Sequence, residues 1–230
     1  MKYSNKKTAR IAGLLYLIVV LTGIFSLAYV PKTLITWNDS ALTFSKIIAS
    51  EFLFRAGIYS SVICYTAFLL LPIVLYHLFK SVNEFYARIM VVLALVSVPI
   101  SFLNLQNKFS ILSLISKDGY LKIYSLEQLQ SKAMFYLHQY NNGISLVSVF
   151  WGLWLLPFGY LIYKSGLLPK ILGILLMLGC FGYLINFTGN MLIKNYTELG
   201  ISKIVSLPAS IGEIGTCLWL LIMGAKNKTL

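Results

Sequence analysis

Charge is scarce in this sequence. Only 11% of its 230 residues are Asp, Glu, Lys or Arg, and just seven are acidic. A soluble domain carries about 25% charged residues. So little charge cannot solvate a globular surface, which excludes a soluble enzyme and a disordered chain. It also excludes a nucleic-acid binder, despite the net charge of +12. Cysteine is scarce too: Cys64, Cys180 and Cys217 each sit alone in an apolar run. Without CxxC or Cys/His spacing, neither a disulfide framework nor a zinc site is expected. The two histidines, His77 and His138, are lone residues. No HExxH, GxSxG, P-loop or dinucleotide fingerprint is present. The sequence therefore assigns no catalytic residue, no metal ligand and no cofactor, and it leans away from an enzyme.

What the chain has instead is apolar length. Hydrophobic residues make up 58% of it, and its mean hydropathy is +0.80. Six apolar runs, each near the ~20 residues a membrane span needs, are predicted at about 11–30, 57–79, 89–106, 143–163, 171–193 and 207–225. The runs are continuous rather than alternating, which makes them helices and not barrel strands. The predicted fold is thus all-α, an integral membrane bundle of six transmembrane helices forming a single domain over residues 1–230. The first run is longer than the 7–15 residues of a signal-peptide core, so it is expected to remain as a span.

Orientation follows from Lys and Arg. With the N terminus inside, ten bases (Lys2, Lys6, Lys7, Arg10, Lys80, Arg88, Lys164, Lys170, Lys226 and Lys228) fall in very short inner segments. The other nine are spread over longer outer ones. Lys and Arg are retained on the cytoplasmic side, so both termini are expected there, in a cell membrane. The two long outer segments carry helix signals. Asn38-Asp39-Ser40 offers N-cap residues, and Ser125-Leu126-Glu127-Gln128 has the spacing of a capping box. Outer-surface helices are expected at about 40–54 and 125–139. Trp151, Trp154 and Trp219 lie too deep for an interfacial belt and read as bundle packing.

Specific strings add to this. Ala-Arg-Ile-Ala-Gly-Leu-Leu-Tyr-Leu opens the first run. Asn38-Asp-Ser-Ala-Leu-Thr-Phe-Ser-Lys-Ile47 is followed by Leu53-Phe-Arg-Ala-Gly-Ile58. Gly159-Tyr-Leu-Ile-Tyr-Lys-Ser-Gly-Leu-Leu-Pro-Lys-Ile-Leu-Gly-Ile-Leu-Leu176 and Pro208-Ala-Ser-Ile-Gly-Glu-Ile-Gly215 complete the set. Together they resemble the bacterial membrane family named domain of unknown function 4386. The resemblance implies an integral, several-span membrane protein and brings no catalytic residues. Asp39, Arg55, Ser165, Gly166, Pro169 and Glu213 match the family's pattern as motif positions.

Glu213 is the only acid inside a predicted span, six residues from its expected outer end and so ~9 Å deep. An ionisable group facing lipid at that depth costs ~2.5–3.5 kcal/mol or more, so Glu213 is expected to face the bundle and find a partner. Arg55, Asn186 and Asn190 are expected at a similar depth. With Glu213 they form a candidate outward-facing pocket for a lipid or small amphiphile; a purely structural hydrogen-bond network is the competing reading. The expected partners are the bilayer and such a ligand, with a homo-oligomer left open. The alternatives are a transporter or channel subunit, and an intramembrane enzyme acting on lipid. The first would need polar groups in the inner halves of the spans, where they are nearly absent. The second would be favoured by His138 within hydrogen-bond reach of Glu213.

Overall fold

The computed structural model describes residues 5–116 and 119–225. Lys2, Lys226 and Lys228, counted among the inner bases, lie outside the described residues. The described residues contain no strand. Six helical segments are long and apolar enough to cross a membrane: Asn5–Leu34, Glu51–Phe79, Glu84–Ser116, Leu126–Ser165, Lys170–Leu192 and Ile201–Ile222. This is an all-α, multi-pass integral membrane protein.

Three of the six spans are interrupted, two of them beside a proline. The first consists of α1 (Asn5–Ile24), a π-helical turn at Phe25–Tyr29 and α2 (Val30–Leu34). Pro31 lies just beyond the π turn and has no N–H to give to a normal helical ladder. The short α3 (Ser40–Ala49) follows, capped by Asp39, whose side chain accepts from the Leu42 N–H at 2.8 Å. The second span, α4 (Glu51–Phe79), is continuous. The third breaks at Leu105 between α5 (Glu84–Asn104) and α6 (Gln106–Ser116). The fourth breaks at Trp154 between α7 (Leu126–Leu153) and α8 (Leu155–Ser165). There Pro157 cannot donate to the Leu153 carbonyl, four residues back. The last two spans are α9 (Lys170–Leu192) and α10 (Ile201–Ile222).

The helical segments extend beyond the apolar runs, and this changes two expectations. Helix is present across 40–54, but in two pieces, since Ser50 ends α3 and α4 starts at Glu51. The helix expected at 125–139 is not separate. It is the leading half of α7, started by a complete capping box between Ser125 and Gln128. Polar residues in its first half hid that continuity.

Two apolar cores lie one above the other. One includes Ala12, Tyr16, Phe68, Leu75, Met90, Trp154, Phe158, Leu176 and Leu220. The other is formed where α3, α6 and the first half of α7 pack together around Phe44, Ile47, Ile111, Leu114, Leu129 and Leu137. Arg10 donates to the Ile222 carbonyl at 3.3 Å, so the first and last helices meet at one end of the bundle. Close approach of helices is set by glycine. A Cβ at Gly13 would collide with the backbone of Leu221, and Gly159 and Gly173 face each other's carbonyls. Small residues at such crossings let the backbones touch and gain dispersion contacts that lipid cannot replace.

Candidate functional site

A cavity of about 240 Å³ lies inside the bundle. Its walls come from five of the six spans. The first contributes Tyr16, Val19, Val20, Gly23, Ile24 and Leu27, and α4 contributes Cys64, Tyr65 and Phe68. The fourth span supplies Trp151 and Trp154, α9 supplies Tyr183, and α10 supplies Ser210, Glu213 and Ile214. The first and last spans close on each other at Gly13, where the Cys217 thiol points at the Gly13 carbonyl. Further along, the cavity separates them. Ile24 and Ile214, both on the cavity wall, are 54% and 45% exposed. Ser210 beside them is exposed as well. The lining therefore reaches the surface of the bundle between α1 and α10.

Glu213 is the one charged residue among the described residues lining this cavity. Its Oε2 accepts from the Tyr16 hydroxyl at 3.3 Å and its Oε1 from the Tyr183 hydroxyl at 3.2 Å. Antiparallel packing explains how Tyr183 reaches it. Side chains lean toward the N terminus of their own helix. Tyr183 on α9 and Glu213 on α10 thus lean toward each other along two helices running in opposite directions. Gly179 against Ala209 and Gly182 against Val205 hold those helices close enough for the contact.

Aromatic rings form the floor. Trp154, 1% exposed, stacks on Phe158 with centroids 5.0 Å apart. It meets Phe68 edge-on at 5.2 Å and Tyr16 at 6.3 Å. The π turn that interrupts the first span supplies Leu27 to the wall. Just before it, the Ser60 hydroxyl donates to the Thr22 carbonyl at 3.0 Å and the Cys64 thiol faces the Val19 carbonyl at 3.5 Å, tying α4 to α1.

The four residues expected to converge do not. Glu213 faces inward as expected, but its partners are tyrosines. Arg55 is spent on Glu51, one turn earlier in its own helix, with Nε–Oε1 at 2.6 Å and its side chain 55% exposed. Asn186 donates to the Ser206 hydroxyl at 2.9 Å and accepts from the Tyr196 hydroxyl at 3.0 Å. Asn190 is exposed and donates to the Asn186 carbonyl at 2.8 Å. Asn186 thus ties α9 to α10 and to the turn between them, Asn190 bonds within its own helix, and neither lines the cavity.

The depth of Glu213 changes as well. The helix begins at Ile201, behind Gly200 in a left-handed conformation (φ 71°), and carries Pro208 within it. Glu213 is therefore twelve residues from one end of α10 and nine from the other, or ~18 and ~14 Å along the axis. It lies near the middle of the span rather than ~9 Å from its edge.

Other motif positions have plain structural roles. Asp39 caps α3. Ser165 accepts from the Leu167 N–H at 3.0 Å, Gly166 adopts φ 66° in the same turn, and Pro169 precedes α9. His138 packs on Trp37 with centroids 5.1 Å apart and does not line the cavity. Sequence reasoning missed Tyr16, Tyr65 and Tyr183, because a tyrosine within an apolar run carries no spacing signal. It also read Trp151 and Trp154 as packing alone, whereas both pack and line the cavity.

The proteins that this chain resembles carry no assigned role. A protein of Archaeoglobus fulgidus, described only as uncharacterised, is 31% identical over 101 residues, which cover 41% of this chain and 56% of that protein. This chain thus spans little more than half the length of that relative. No solved structure matches the chain. The family described as "Domain of unknown function (DUF4386)" matches residues 11–224, nearly the whole sequence, and the chain belongs to that family.

Proposed function

We propose that this is a noncatalytic protein of the cell membrane that holds a lipid or small amphiphile in the cavity around Glu213. The observation that carries the reading is a mostly apolar, aromatic-floored cavity with Glu213 inside it, whose lining reaches the surface of the bundle at Ile24, Ser210 and Ile214. An amphiphile dissolved in the bilayer could pass its head group between Ile24 and Ile214 and leave its tail in lipid. The volume is adequate, since a cavity of about 150 Å³ already holds benzene and this one is about 240 Å³. The inside is mostly apolar, with a few converging polar groups that would fix orientation, as binding sites generally have.

A transporter would need a path to both faces. The tight contact of Gly13 with Leu221 argues against one on the N-terminal side of the cavity. An enzyme would need a nucleophile or metal beside Glu213, and the hydroxyls that meet its carboxylate belong to two tyrosines, with no serine, cysteine or histidine among the described residues hydrogen-bonded to it.

Native mass spectrometry of the gently extracted protein tests the reading. The expected result is a bound amphiphile that is lost from Val20→Trp, in which the indole fills the cavity. An unliganded spectrum of the unaltered protein across several mild detergents would overturn it.

A further inference from the structure

The cavity has a charge pattern that narrows what it would hold. Resting on the amphiphile reading above, we infer that the ligand is a lipophilic amine, bound as its ammonium form against Glu213, with no phosphate or carboxylate in its head group.

Three observations converge. First, among the described residues no Lys, Arg or His lines the cavity, so Glu213 has no cationic partner there. Its hydrogen bonds come from the neutral hydroxyls of Tyr16 and Tyr183. Each carboxylate oxygen thus uses one acceptor site on a tyrosine and keeps another free. An ammonium N–H donated to those free sites would supply the opposite charge that a mid-span carboxylate needs.

Second, the groups around the carboxylate are aromatic. Tyr16, Tyr65, Phe68, Trp151, Trp154 and Tyr183 all contribute to the lining. The faces of such rings are electron-rich and attract a cation, more strongly when water is excluded.

Third, the same features reject other head groups. A phosphate or carboxylate would meet Glu213 with like charge and find no guanidinium or ammonium to receive it. This excludes ordinary phospholipids and fatty acids as the matched ligand. A neutral alcohol would fit the apolar mouth but leave the charge of Glu213 uncompensated.

Matched single-chain probes separate this inference from the reading beneath it. The protein in phosphatidylcholine nanodiscs is titrated with n-dodecylamine, n-dodecanol or dodecanoate. Tryptophan emission is followed, because Trp151 and Trp154 line the cavity, and empty nanodiscs provide the blank. The expected order is amine first, alcohol at least about tenfold weaker and dodecanoate weakest, since a charge-assisted hydrogen bond is worth about that ratio. E213Q should bring the amine down to the level that the alcohol shows on the unaltered protein. If E213Q does not fold, the ranking of the three probes on the unaltered protein decides alone. Equal binding of all three would overturn the amine inference and leave the amphiphile cavity standing. Failure of all three to bind, together with unliganded native mass spectra, would overturn both.

Discussion

Prominence in the sequence and energetic standing run opposite ways for Arg55 and Trp154. Arg55 sits in a motif-like string, yet its ion pair with Glu51 is a solvent-accessible i, i+4 contact on one helix. Such pairs contribute less than ~1 kcal/mol, so Arg55→Ala should scarcely move the unfolding temperature in detergent. Trp154 carries no motif, but it is fully packed at the floor of the cavity. Trp154→Ala should cost ~3–5 kcal/mol, read as a large fall in thermal stability or in recovery of folded protein. A stability loss for Arg55→Ala matching that of Trp154→Ala would contradict the partner assignment made here. The sequence singled out Glu213 because a lone acid in an apolar run must be accommodated somewhere. It could not name the partners. A tyrosine satisfies the carboxylate as a neutral donor from within an apolar run, whereas the search for partners looked for bases and amides at matching depth.

At the scale of the helix, starts and crossings set the geometry. The Ser125–Gln128 box closes two donors at the head of α7, with Gln128 Oε1 accepting from the Ser125 N–H at 2.9 Å. Ser125→Ala should cost ~1 kcal/mol and accelerate amide exchange in residues 126–129, with little change near Val147 in the buried half. Gly13 sets the crossing of α1 and α10. Gly13→Ala places a methyl against the Leu221 backbone, which no rotamer change can relieve. The expected cost is ~1–3 kcal/mol, seen as lower resistance to unfolding by SDS. Unchanged resistance would mean that the two helices are not closed at that point. Six spans were legible from apolar length alone. Their interruptions were not, because Pro31, Pro99, Pro157 and Pro208 look alike in sequence yet act differently. Pro208 is carried within a continuous α10, while Pro31 follows a π turn and Pro157 follows the break at Trp154.

For the whole molecule, the even number of spans and the contact of Arg10 with Ile222 bring both ends of the helical bundle to one face. The density of Lys and Arg makes that face the expected cytoplasmic one. In a variant lacking native cysteines, Asn38→Cys should react with an impermeant maleimide on intact cells, and Lys80→Cys should react only after lysis. The reverse pattern would invert the orientation while leaving the fold intact. The far end is covered by the second apolar core, in which Lys108 is buried with its Nζ 4.1 Å from the centroid of Tyr140. Cation–π contact offsets part of the cost of that burial. Lys108 lies just beyond the run predicted for the third span, which is why sequence reading took it for an outer-loop charge.

Entry of a guest between Ile24 and Ile214, as proposed, would have a thermodynamic consequence. A guest that enters from within the bilayer equilibrates with the hydrocarbon phase, so occupancy follows its mole fraction in lipid rather than its concentration in water. Diluting a preparation with buffer would leave such a guest in place, whereas diluting it with empty vesicles would strip it. Among homologous guests, each added methylene would raise the apparent affinity measured from water and leave the affinity per lipid nearly constant, because partitioning into the bilayer supplies the gain before the protein is met.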